Sequence, residues 1–97
     1  MDKTITWSEP AKEDFRDVVF YLMRDSDVLA ENWLEELDHA LLLLGKFPEM
    51  GKMNPEKEVR FIREIFVGKY RIVYSDLNDV ITVLMIRHQS RPLGKIE

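Results

Sequence analysis

Tyr70-Arg71-Ile72-Val73-Tyr74 and Val80-Ile81-Thr82-Val83-Leu84-Met85-Ile86, parted by Asp76-Leu77-Asn78-Asp79, decide the fold. Both runs are rich in β-branched and aromatic residues, and the tetrapeptide between them has turn chemistry. Consecutive strands joined so tightly form an antiparallel hairpin. If Asp76 to Asp79 make a four-residue loop, Ser75 pairs with Val80 and Arg71 with Leu84. Alternation then places Tyr70, Ile72, Tyr74, Ile81, Val83 and Met85 on one face, apolar enough to receive helices. Arg71, Val73, Leu84, Ile86 and His88 share the other.

Upstream, Val59 to Phe66 reads as another strand, closed by a turn at Val67-Gly68. Phe47 to Glu58 reads as loop, punctuated by Pro48, Gly51, Asn54 and Pro55. Ahead of it lie two helical patterns. Ala11, Phe15, Val18 and Leu22 recur at helical spacing with Val19 alongside, which predicts a helix from about Glu9 to Arg24. Ser8 is its N-cap, with Glu9 and Pro10 suited to the first turn. After the polar break Asp25-Ser26-Asp27, a second stripe runs through Ala30, Trp33, Leu34, Leu37, Leu41 and Leu44. Gly45 and Pro48 end it. Trp7 and Trp33 read as core anchors. Thr4-Ile5-Thr6-Trp7 is a short β-prone run at the start.

The expected order is therefore β-α-α-β-β-β. This is an α+β domain, an N-terminal helical hairpin packed on an antiparallel sheet. One sheet face takes the helices; the other, or part of it, is left for water or a partner. At 97 residues the chain is a single domain, 1–97, able to bury roughly 65% of its unfolded surface.

Composition narrows the function. There is no cysteine, so disulfides and thiolate metal sites are out, in keeping with a cytoplasmic protein. The first residues lack the basic start and apolar run of a signal peptide, and no apolar run is long enough to span a bilayer. His39 and His88 do not have metal-ligand spacing, and the four glycines are too scattered for a phosphate loop. No cofactor or metal is expected. Residues 1–48 hold eleven acids and five bases, residues 49–97 seven acids and nine bases. The cationic half suits an anionic partner, and equally suits an acid-rich helical surface opposite lysine-bearing sheet edges.

The computed facing puts Arg71 and His88 on the uncovered side of the sheet, with Lys69 joining them by parity and Arg91 following in the tail. Arg63 has a facing that depends on the Val67-Gly68 turn. Arginines there could hold phosphate or carboxylate oxygens by bidentate pairing, and His88 could move a proton. Each residue alone also fits a solvated strand, and the residues themselves leave both readings open.

Several stretches are familiar. Ile5-Thr6-Trp7-Ser8-Glu9-Pro10-Ala11-Lys12-Glu13-Asp14, Leu44 through Phe47-Pro48-Glu49-Met50-Gly51, Ile62-Arg63-Glu64-Ile65, Gly68-Lys69-Tyr70-Arg71-Ile72-Val73-Tyr74 and Ile86-Arg87-His88-Gln89-Ser90-Arg91 resemble, in order, the RelE/ParE toxin superfamily. The His-Gln-Ser-Arg tail and Pro-Glu-Met-Gly loop are closer to ParE-like plasmid-stabilisation toxins. The resemblance implies the β-α-α-β-β-β fold and a cognate antitoxin that wraps the toxin in a hetero-oligomer. ParE-like members inhibit DNA gyrase; Arg63, Lys69, Arg71, His88 and Arg91 would then be target contacts. RelE-like members cut mRNA on the ribosome. Arg71 falls where such nucleases hold the phosphate, His88 near their proton-transfer histidine, and Glu56 could match their carboxylate base. Glu56 stands at an unusual distance from Arg71, the stacking C-terminal aromatic is missing, and the chain is acidic. A third reading is a non-toxic, degenerate antitoxin-binding module. The neighbouring reading frame would separate the toxin readings from other functions.

Overall fold

A computed structural model describes residues 2–53 and 61–91. The chain runs β1 (Thr4–Trp7), α1 (Glu9–Asp25), α2 (Asp27–Lys46), a 3-10 turn (Pro48–Met50), β2 (Lys52–Met53), β3 (Ile62–Val67), β4 (Tyr70–Leu77) and β5 (Val80–His88). The helices lie within a residue or two of their expected bounds, because apolar period and caps agree. Ser8 Oγ accepts from the Ala11 N–H at 3.2 Å and donates to the Leu84 carbonyl at 3.0 Å, tying the helix start to the sheet.

The interhelical break is tighter than expected. Ser26 alone separates the helices, closing α1 through its N–H to the Leu22 carbonyl and capping α2 through Oγ, which accepts from the Leu29 N–H at 3.3 Å. Ser26→Ala is expected to cost about 1 kcal/mol, the usual loss of an N-cap, read by urea denaturation.

The sheet order is β1-β5-β4-β3-β2. The pairs β3–β4 and β4–β5 are antiparallel, as expected of consecutive hairpins, and β2 also runs antiparallel to β3. β1 instead lies parallel to β5, pairing Thr4 with Val80 and Trp7 with Val83, so the sheet is mixed. The two-residue β2 falls inside the expected loop.

Both turns are shorter or shifted relative to expectation. Gly68-Lys69 joins β3 to β4, with Gly68 at φ 59°. Asn78-Asp79 joins β4 to β5, with Asn78 at φ 58° and Leu77 opposite Val80. Glycine and asparagine are the residues that tolerate this left-handed conformation. A two-residue loop in place of four shifts the pairing by two residues and keeps every side chain on its expected face.

A β-bulge then changes the facing. Tyr74 pairs with Val83 but Val73 pairs with Met85, leaving Leu84 as the extra residue. Every residue of β5 beyond it is turned over. Ile86, opposite Ile72, points to the helices, and Met85, opposite Val73, points away. The helix-side core holds Leu37, Leu44, Ile72, Tyr74, Ile81, Val83 and Ile86. On the outer face Ile62, Val73 and Met85 form a second buried cluster, with Leu84 packed on it. β4 is thus covered on both sides at Ile72 and Val73.

Candidate binding cleft

Gly68 is glycine because of its positive φ; an added Cβ would stand in ordinary contact, 3.4 Å from Trp33 Cδ1. Trp33 Nε1 donates to the Val67 carbonyl at 3.0 Å, fixing α2 to the same turn. From Trp33 an aromatic ladder extends both ways. Trp7 and Phe15 stand 5.5 Å apart, Phe15 and Trp33 6.2 Å, Trp33 and Tyr70 5.7 Å, and Tyr70 and His88 5.5 Å. Such spacings add attraction beyond area burial.

The ladder ends at a cleft. A cavity of about 370 Å³ opens between the α1–α2 elbow and the β3–β4 turn, walled by Tyr21, Leu29, Trp33, Lys69, Tyr70 and His88. A second depression of about 640 Å³ shares Tyr21, Tyr70 and His88 and continues towards Asp17, Arg87 and Arg91. His88 therefore sits where the two meet. Its Nδ1 lies 2.8 Å from Ser90 Oγ and accepts the Ser90 N–H at 3.2 Å, so the neutral ring carries its proton on Nε2. Burial, and then the neighbouring Tyr21 phenol, push the Tyr70 phenol above its ordinary 10.0, so it stays a neutral hydroxyl at physiological pH.

Arg71 is elsewhere. It projects from the outer face, opposite Arg87, whereas His88 shares the helix face with Tyr70. The expectation that Arg71 and His88 work from one surface is overturned, and the cause is the bulge at Leu84. Arg71 is also engaged: Nη2 donates to the Gln89 carbonyl at 3.2 Å and to the Arg91 carbonyl, and Nη1 lies 4.0 Å from the buried Glu64 carboxylate. It clamps the turn that follows β5.

The other expected site residues divide. Lys69 belongs to the turn rather than to a strand face; it lines the cleft, and its carbonyl accepts from Gln89 N–H at 2.8 Å. Arg91 is exposed beside His88, its N–H held by the His88 carbonyl at 3.0 Å. Arg63 takes the helix side, opposite Tyr74, and donates to the Gly51 carbonyl at 2.8 Å, away from the cleft. Glu56 lies outside the described residues.

One cation escaped sequence reasoning. Arg87 pairs with Asp14 at 2.5 Å, and the same Asp14 oxygen accepts the Ile86 N–H at 3.0 Å. With β1 ending at Trp7, that N–H would otherwise be an open strand edge. Asp14 simply falls off the apolar stripe of α1, so nothing local marks it. Tyr70, which walls the cleft with Tyr21, is marked in the sequence only as a residue of the helix-facing side, and Tyr21, off the apolar stripe of α1, has no local mark. Among the described residues no three acidic or histidine side chains gather as a metal ion would need, and no helix is long and apolar enough to cross a membrane.

Over residues 5–93 the sequence matches the family described as the ParE toxin of type II toxin-antitoxin systems, parDE. The chain belongs to that family. Solved structures agree on the fold. A chain of the chromosomal ParDE TA system from P. aeruginosa superposes at TM-score 0.69 with 16% identity, covering 89% of this ParE-family chain and 95% of that one. A mutant of the E. coli toxin RelE in the free state gives 0.65 with 18% identity, covering 93% and 86%. No curated protein matches the sequence. Among the described residues of this ParE-family toxin, the basic side chains near the cleft that the expected site also named are Lys69, His88 and Arg91, joined by Arg87; Arg63 and Arg71 hold loops.

Proposed function

We propose that this ParE-family chain is a cytoplasmic toxin that inhibits DNA gyrase by binding it and is neutralised by a cognate antitoxin. The observation that carries this choice is the separation of Arg71 from His88. Cleavage of RNA by attack of its own 2′-hydroxyl on the adjacent phosphate, with the 5′-oxygen leaving, needs a cation at the phosphate and a proton donor or acceptor beside it. Here the guanidinium is clamped to the Gln89 and Arg91 carbonyls on one side of the sheet, and the imidazole is on the other. A protein that works by contact has no such requirement. Lys69, His88 and Arg91, grouped at one end of the sheet, are the proposed contacts, with Arg71 supporting them from beneath.

Purified toxin added to gyrase is expected to abolish supercoiling and to accumulate cleaved DNA, with the cognate antitoxin reversing both. Unimpaired supercoiling at saturating toxin would reject the reading. Primer extension on translated mRNA separates the RelE-like alternative: new codon-linked 5′ ends, lost in His88→Ala, would establish cutting instead.

A further inference from the structure

The cleft at the elbow has a charge pattern that the proposed target contacts leave unexplained. Asp25, from the last turn of α1, and Glu36, from α2, form its helical lip, and both are exposed. Neither makes an ion pair among the described residues. The floor between them is apolar and aromatic: Trp33 and Tyr70 are buried beneath, while Tyr21 (58% exposed) and Leu29 (44% exposed) stand open. Lys69 lies at the opposite lip. The cleft thus sets open apolar surface and negative charge side by side, a combination that suits an amphipathic, cationic ligand.

We propose that this cleft binds an amphipathic peptide segment of a partner protein, seating one aliphatic side chain on Trp33 and Tyr70 and an arginine three residues further on against Asp25 and Glu36. Arginine suits the place because its planar guanidinium stacks on an open tyrosine while its N–H groups fork onto carboxylates. About 370 Å³ is near the lower end of ligand pockets, room for two or three side chains rather than a cofactor. Lys69 gives the segment a direction, favouring an acidic group or backbone carbonyl at its end of the cleft. The proposal does not depend on gyrase being the target.

The probe is the synthetic tetrapeptide acetyl-Leu-Ala-Ala-Arg-amide, titrated into the isotope-labelled full chain and followed by backbone amide shifts. The same peptide with Glu for Arg is the control. Saturable shifts are expected at Tyr21, Leu29, Trp33, Lys69 and His88. The arginine peptide should bind at least ~5-fold more tightly, the effect of one or two partly exposed charge pairs. The double variant D25N/E36Q, which alters only exposed side chains, should abolish that preference, and raised salt should weaken it. Equal affinity for both peptides, preference retained in D25N/E36Q, or no saturable shifts at the cleft would overturn the proposal. So would peptide-free shifts of the same residues that grow with protein concentration, which would assign the cleft to a second copy of the chain.

Discussion

Trp33→Ala is expected to destabilise the protein by about 4 kcal/mol, within the range for deleting a large buried aromatic. Trp33 is 5% exposed, touches Phe15 and Tyr70 in the ladder, and is the donor to the Val67 carbonyl. Removing it empties a site between α2 and the β3–β4 turn that backbone cannot collapse into, since both walls are secondary structure. A domain of this size has roughly 5–15 kcal/mol in all, so the variant should be close to unfolding at 37 °C. Guanidinium denaturation checks it: the midpoint should fall with little change in slope. Trp33→Phe keeps most of the packing and should recover more than half of the loss. An unchanged midpoint in Trp33→Ala would mean that the ladder is not a core element.

Tyr74→Phe comes second, at about 2 kcal/mol, or roughly 8–16 °C in thermal midpoint. Tyr74 is fully buried, and its hydroxyl donates to the Pro48 carbonyl at 2.7 Å and accepts the Gly51 N–H at 3.0 Å. Phenylalanine fills the space and leaves both backbone groups without their partner. The same contact explains Gly51. A Cβ there would overlap the Tyr74 hydroxyl and stand 2.8 Å from the Glu64 carbonyl, so Gly51→Ala should cost at least as much. The Tyr74 phenol has a further signature. Burial raises it above 10.0, reinforced by Asp76 and opposed by the Gly51 hydrogen bond and Arg63. In the unfolded chain the phenol loses its proton first, so the unfolded state binds fewer protons just above pH 10. The contribution is complete below pH 10 and is lost as pH rises through the folded value. Stability of the parent protein should therefore drop in alkali, and Tyr74→Phe should flatten that drop. Parallel alkaline curves for the two proteins would contradict the burial argument.

These two sites also mark what the sequence could and could not disclose. Trp33 and Tyr74 are identifiable as core because each falls on an apolar stripe whose period is local. The helix caps, the order of elements and the faces of Tyr70 through Val83 follow from the same local rules, and even the misjudged loop length is harmless. What local rules do not contain is the parallel docking of β1 on β5, made between residues far apart in sequence, or the Asp14–Arg87 pair across the same distance. The bulge belongs with them. Val83-Leu84-Met85-Ile86 is apolar throughout, so no alternation announces an extra residue. The arrangement is favoured from outside the strand: the Ser8 hydroxyl donates to the Leu84 carbonyl just where β1 stops. Strict alternation puts Arg71 and His88 on one face, and the added residue parts them.

Leu84 also bears on how such a molecule could change over generations. Substitutions at the strand end exchange one side chain for another in place. Re-pairing the strand so that Leu84 stands opposite Val73 would instead swap Arg87 and His88 between the two sides of the sheet, bringing the imidazole to the side where Arg71 projects, whereas deleting Leu84 would leave each on its present face. Whether that one residue is paired or extra is thus a switch between chemically different surfaces, available to any lineage that builds this sheet.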